Sequence, residues 1–154
     1  MEFILKTSDQ ILISSLKKEI LLDRNTISLD GLVIDSAGEY EKWGFLMYVR
    51  EHDGLRYFYF RAENKWLAYI PVLPEEFDAE TLDFFGQIDI MIAPIGKKDH
   101  KCIDIIEPRL LVSYGELACE LPQILGYACT PNDSYKFKES DLTEEKMGLI
   151  ILSK

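Results

Sequence analysis

The chain is poor in the residues that most enzymes of its size use for chemistry. Only two histidines, His52 and His100, occur in 154 residues. A His-rich dinuclear metal site cannot be assembled from one copy. Positive charge is scarce as well: 17 Lys and Arg face 27 Asp and Glu, a formal net charge of −10. DNA and RNA affinity rests on Lys and Arg neutralising phosphates, so no nucleic-acid partner is expected. No apolar run approaches the roughly 18 residues of a membrane helix, and Met1-Glu2-Phe3-Ile4-Leu5-Lys6 lacks the basic region and long apolar core of a signal peptide. The expectations are a cytoplasmic protein and no membrane partner. Cys102, Cys119 and Cys129 are odd in number and without CxxC spacing, which suggests neither a disulfide framework nor a zinc knuckle. They are expected to be reduced and partly buried. No GxGxxG or Walker pattern is present, so no nucleotide fingerprint and no cofactor are indicated.

What is present is apolar content, 47% of the chain, enough to fill the core of one domain over residues 1–154. The apolar period is mostly two, which predicts many strands and few helices. Phe3–Leu5, Ile11–Ser14, Glu19–Asp23, Thr26–Leu29 and Leu32–Asp35 fit a meander broken at Asp23-Arg24-Asn25 and Asp30-Gly31. Asp53-Gly54 between aromatic and aliphatic runs predicts a hairpin, and Trp66–Ile70 a further strand. A short helix follows over Asp78–Phe85, with Asp78 as N-cap and Gly86 as stop. Ile88–Ala93 and Leu110–Ser113 read as buried strands on either side of a helix at Lys101–Ile106. Glu116–Gly126 predicts a helix that Pro122 restricts or splits. Tyr135–Lys138 and Met147–Leu152 end the chain as strands.

With that order in view a family resemblance emerges. Ile34–Gly44 resembles the "GPGEYE followed by a Gly" turn of the UlaG-like branch of the metallo-β-lactamase fold. Asp53-Gly54-Leu55-Arg56 resembles the strand leading to that family's His-Leu-Gly-Asp motif. Gln87–Gly96 is similar to its "VDILLVPVG" strand, Ile106–Val112 to "LEPRIVI", and Asp141–Leu152 to its C-terminal ending. The resemblance covers residues 32 to 154 and implies a shortened αββα sandwich of the α/β class, strand-rich in its N-terminal half and alternating β/α in its C-terminal half. It also implies a metal-dependent hydrolase, and there the chain departs. The family's His-x-His-x-Asp-His loop would fall within Leu21–Asp35, which has no His. The His-Leu-Gly-Asp motif maps onto Tyr59-Phe60-Arg61-Ala62, placing Ala62 at the bridging carboxylate, and the last His maps to about Gly115. Without ligands, no bound water reaches a near-neutral pKa to serve as nucleophile.

Other constellations are thin. Asp99-His100-Lys101-Cys102 places a carboxylate, an imidazole and a thiol within four residues, but a second pair of metal ligands is lacking, and on a helix His100 and Cys102 diverge. The bland reading, a solvated loop before a helix, is favoured. Glu39 and Glu41 bracket Tyr40 in what the family uses as a structural turn. Tyr57, Phe58, Tyr59 and Phe60 are consecutive on one strand, so large rings face both ways. That pattern fits either a sandwich core or a sheet surface covered by a second subunit. The reading that results is a metal-free, non-catalytic relative of metallo-β-lactamase-fold hydrolases, an interaction or structural protein, most simply a homodimer. Two alternatives remain: a metal-dependent hydrolase of phosphoesters or lactones with an atypical site, and a small-ligand module using a cleft bordered by Tyr40, Arg61, Lys97, His100 and Tyr114.

Overall fold

A computed structural model describes all 154 residues. The first half is built from hairpins: β1 (Glu2–Thr7), β2 (Gln10–Ser15), β3 (Lys18–Asp23), β4 (Thr26–Leu29) and β5 (Leu32–Ile34) follow one another antiparallel, and β12 (Ser134–Lys136) closes the far side. This is the expected meander. Its burial alternates strictly, as in Ile11 and Ile13 of β2 or Ile20 and Leu22 of β3, because one face is packed and the other is not.

The second sheet has seven strands in the order β13 (Gly148–Leu152), β11 (Leu110–Tyr114), β10 (Ile90–Ala93), β9 (Lys65–Tyr69), β8 (Leu55–Ala62), β7 (Phe45–His52) and β6 (Gly38–Lys42). Strands β9, β10, β11 and β13 are parallel, and β6 to β9 form antiparallel hairpins. Here the stretch expected to be a turn around Tyr40 is an edge strand. Its Gly-Glu-Tyr-Glu-Lys composition hides the apolar alternation by which strands are recognised.

Helix α1 (Ala79–Phe84) is capped as its sequence predicts, with the Asp78 carboxylate accepting from the Thr81 backbone N–H at 3.3 Å. Helix α2 (Cys102–Ile106) ends in a left-handed Glu107, φ 53°. Pro122 does split the next segment: a 3₁₀ turn over Glu116–Glu120 gives way to α3 (Leu121–Leu125), with the proline at its start, where a missing N–H costs nothing.

Two cores result. Phe3, Ile13, Leu22, Phe58, Phe60, Tyr69 and Val112 belong to the core between the sheets. Tyr57, Tyr59, Ala68, Met91, Leu111 and Ile151 cover the other face of the second sheet, under Phe85, Ile103, Ala118 and Leu121 of the helical segments. The aromatic run of β8 is therefore buried on both sides, its tyrosines under helices rather than at a rim. Helices lie on one outer face of the sandwich only. The outer face of the six-stranded sheet carries none, and Ile4, Leu12, Leu21, Ser28 and Val33 form one continuous cross-strand row over it.

Five two-residue turns, at Leu16-Lys17, Asp30-Gly31, Trp43-Gly44, Asp53-Gly54 and Glu63-Asn64, have both residues left-handed. That is the twist a tight hairpin needs, and Asn-Gly supplies it with least strain. Leu16 (φ 48°) and Lys17 (φ 64°) do not. Replacing them together, Leu16→Asn with Lys17→Gly, is expected to stabilise the fold by about 1–2 kcal/mol. A thermal melt should then show Tm about 3–6 °C higher.

Candidate functional site

In sheets with parallel strands, sites form beyond the strands' carboxyl ends. Here β9, β10 and β11 end at Tyr69, Ala93 and Tyr114. The turns of the first sheet close over that end. A Cβ built on Gly115 would stand 3.9 Å from the Ser8 carbonyl of the β1–β2 turn, and the Arg56 guanidinium, beside the β7–β8 turn, donates to the carbonyl of Asn25 in the β3–β4 turn. Between these turns and the parallel strands sit two phenols, Tyr69 and Tyr114, both buried. Burial pushes the Tyr69 hydroxyl up to about 12 and that of Tyr114 further. The two hydroxyls face each other and Tyr69 Oη also faces the Arg24 backbone N–H, but none of these contacts has the geometry of a full hydrogen bond.

The pairing corrects the position inferred for a bridging carboxylate. Ala62 pairs with Lys65 at the start of β9, whereas Tyr69 pairs with Phe58. Ala62 therefore lies at the amino end of the parallel strands, and Gly115 lies beyond their carboxyl end. No metal could touch both. The carboxyl end of β9 is Tyr69, followed by Ile70-Pro71-Val72, whose side chains carry no metal-ligating group.

The five residues of the inferred cleft do not converge. Tyr40 is on edge strand β6, its hydroxyl donating to the Ser36 carbonyl at 2.8 Å. Arg61 pairs with Leu46 on β7 and Trp66 on β9, toward the amino end. Lys97 and His100 share a turn after β10 at the opposite end, where His100 Nδ1 meets the Lys97 carbonyl at 2.7 Å. Tyr114 is inside the core. Side-chain parity and strand direction decide this, and neither follows from the motifs alone.

The remaining candidates are structural. Cys102 enters the core under α2, and burial pushes its thiol up to about 11, so no thiolate is available at neutral pH. Cys129 donates to the Leu149 carbonyl at 3.4 Å. Cys119, expected to be partly buried, is exposed, and all three cysteines are free. Glu39 and Glu41 are exposed on β6. One cluster was not foreseen: Arg50 bridges Thr81 at 2.9 Å and Asp78 at 3.2 Å, with His52 Nε2 3.5 Å from Asp78. The Thr81 hydroxyl bond, more than any other contact, holds the Asp78 carboxyl below its ordinary value. These contacts fasten α1 to the β7–β8 hairpin. The N-cap role of Asp78 was its only trace in the sequence.

No family model and no curated protein sequence matches the chain. A solved structure does: a Thermotoga maritima protein assigned as a Zn-dependent hydrolase of the metallo-β-lactamase superfamily superposes with a TM-score of 0.80 over 100% of both chains, at 14% identity. Zinc in that kind of site needs three or four His, Cys or carboxylate ligands around one point. In this chain no three His, Cys, Asp or Glu side chains come together in an arrangement able to hold a metal ion. Its residues do not fit the group. The chain has the metallo-β-lactamase fold from end to end, with a tyrosine pair filling the carboxyl ends of its parallel strands.

Proposed function

We propose that this protein is a metal-independent, non-hydrolytic member of its fold class, a loss of the UlaG-type metal motifs, and that it works as an interaction protein, a homodimer joined through the bare face of the six-stranded sheet. The observation that carries the reading is that face itself. Along it Ile4, Leu12, Leu21 and Val33 make an aliphatic row with Ser28 between the last two, and polar rows flank it.

Size and charge select a second copy as the occupant. Six strands about 4.8 Å apart, at about 3.3 Å per residue, present roughly 500 Å². Two copies then bury on the order of 1,000 Å², the lower bound of specific interfaces. The outward side chains include three carboxylates, Glu2, Glu19 and Asp23, and two ammonium groups, Lys6 and Lys136. The face thus carries one net negative charge of the chain's ten. Being close to neutral, it lets two such acidic chains approach with little local repulsion. An isologous contact also closes the assembly at two.

Sedimentation equilibrium tests this. The expected mass across the micromolar range is twice the 17.8 kDa of one chain, unchanged by chelator or by added zinc. Leu12→Lys with Leu21→Lys is expected to sediment as a monomer with an unaltered far-UV spectrum. A wild-type monomer, or a variant that stays dimeric, refutes the interface. Stoichiometric zinc in the purified protein refutes the metal-independent reading separately.

A further inference from the structure

We propose that the end of the sandwich opposite the tyrosine pair docks the protein onto an anionic lipid surface. The inference is independent of the dimer, because it concerns the turns and not the sheet face. On a chain of net charge −10, three ammonium groups gather there around two large apolar side chains. Leu16, in the β2–β3 turn, is 73% exposed, and Trp43, in the β6–β7 turn, is 45% exposed. Lys18 Nζ stands 4.9 Å and Lys42 Nζ 4.2 Å from the Trp43 ring centroid, and Lys17 lies beside Leu16. Asp30, 3.6 Å from Lys18, offsets part of this charge, and Glu63 of the β8–β9 turn, bonded to Ser15 at 2.6 Å, is matched by the Met1 amino group 3.4 Å away.

Both apolar residues occupy positions that disfavour them. Leu16 (φ 48°) and Trp43 (φ 52°) are left-handed, where a bulky side chain is strained and Asn or Gly is not. Strain combined with exposure, offset at Trp43 only by the two lysine contacts, is the pattern of a site kept for contact. The chemistry matches a bilayer interface. An indole settles among headgroups, a leucine reaches the acyl boundary, and lysines on flexible stems stay with the phosphates and carboxylates. A protein partner needs a concavity that complements two separate hairpin tips, whereas a fluid surface yields to both. No helix is long and apolar enough to cross a membrane. The contact is with the surface only, which an expectation built on spanning segments does not address.

Co-sedimentation of the full chain with vesicles tests it. Binding is expected to mixed phosphatidylserine and phosphatidylcholine vesicles, to weaken with salt, and to be slight with phosphatidylcholine alone. Leu16→Asn with Lys17→Gly should bind at least about tenfold more weakly, since one lysine and one inserted leucine are each worth roughly fivefold or more. The same variant is expected to melt higher, so its loss of binding cannot be unfolding. Trp43→Asn should weaken binding in the same direction. Failure to bind the mixed vesicles, or equal binding by the variants, overturns the proposal. So does full displacement by soluble polyglutamate at matched charge concentration, which would assign the patch to an acidic polypeptide.

Discussion

Asp89→Ala is expected to cost about 3–4 kcal/mol of stability, a large share of what a domain of this size possesses. Asp89 is buried at the amino end of β10, and its two carboxylate oxygens serve two different strands. One accepts the Trp66 backbone N–H of β9 at 2.9 Å; the other accepts Arg109, at the entrance to β11, at 3.2 Å. Its own backbone joins the same strands, with N–H to the Trp66 carbonyl at 2.9 Å and carbonyl to the Leu110 N–H at 2.9 Å. Alanine orphans the Trp66 N–H and leaves Arg109 without its partner. Arg109→Ala is expected to cost less, about 2–3 kcal/mol, because a buried carboxylate keeps one donor. Asp89→Asn should fall lowest, at about 1–2 kcal/mol, since an amide oxygen can still accept from Trp66. Denaturant unfolding of the three variants checks the order. An Asp89→Ala variant as stable as the wild type would show that the parallel strands are aligned by packing alone.

That pair also explains why the fold could be read from the sequence while the site could not. Asp89 and Arg109 fall inside two segments that resemble the family's strands, Gln87–Gly96 and Ile106–Val112. In this chain both residues have structural work, locking the amino ends of three strands. Motifs of that kind identify a fold whether or not chemistry survives. The meander was legible because one packed face imposes a period of two, and the Asp53-Gly54 turn and Asp78 cap because their local chemistry is specific. Strand β6 was not legible, since an edge strand with Glu39 and Glu41 facing water shows no apolar alternation. Ala62 was placed in one site with Gly115, at the other end of the strands, because β7, β8 and β9 are successive hairpin strands rich in aromatics. Only the parallel pairing of β9 with β10, a non-local contact, says which strand leads into the α/β half. The inferred cleft failed for the same reason: Arg61 and Lys97 end similar motifs, yet their strands run in opposite directions. The missing helical layer over the first sheet lies further out of reach. Half-buried Ile4, Leu12 and Leu21 read alike whether a helix, a second chain or water covers them.

Alkaline unfolding that steepens near pH 10 is the expected consequence of filling the carboxyl end of the parallel strands with phenols. In the unfolded chain a tyrosine ionises near 10.0. In the folded chain burial raises Tyr69 to about 12 and raises Tyr114, Tyr57, Tyr59 and Tyr135 in the same direction. A group whose folded pKa is raised stabilises the fold fully below its unfolded pKa and loses that contribution as pH climbs through the folded value. Stability should therefore hold from neutrality to about pH 9, where the buried Cys102 and Cys129 thiols, raised from 9.0, begin the loss, and fall steeply as the phenols join across pH 10–12. Tyr69→Phe separates packing from polarity, because it keeps the ring and removes a buried hydroxyl whose contacts with Tyr114 and the Arg24 N–H fall short of full hydrogen bonds. It should be neutral or stabilising by up to about 1 kcal/mol, and should shift the alkaline midpoint upward. Tyr114→Ala removes the packing itself, leaving a ring-sized void at the mouth of the sandwich, and is expected to cost about 3–5 kcal/mol. Guanidinium melts at pH 7 and pH 11 measure all three quantities. If Tyr69→Phe proves destabilising at pH 7, its hydroxyl is held by a polar group, and the carboxyl end of the sheet is a polar site rather than a packed one. The opposite result leaves the tyrosine pair as packing that fills the carboxyl end of the parallel strands.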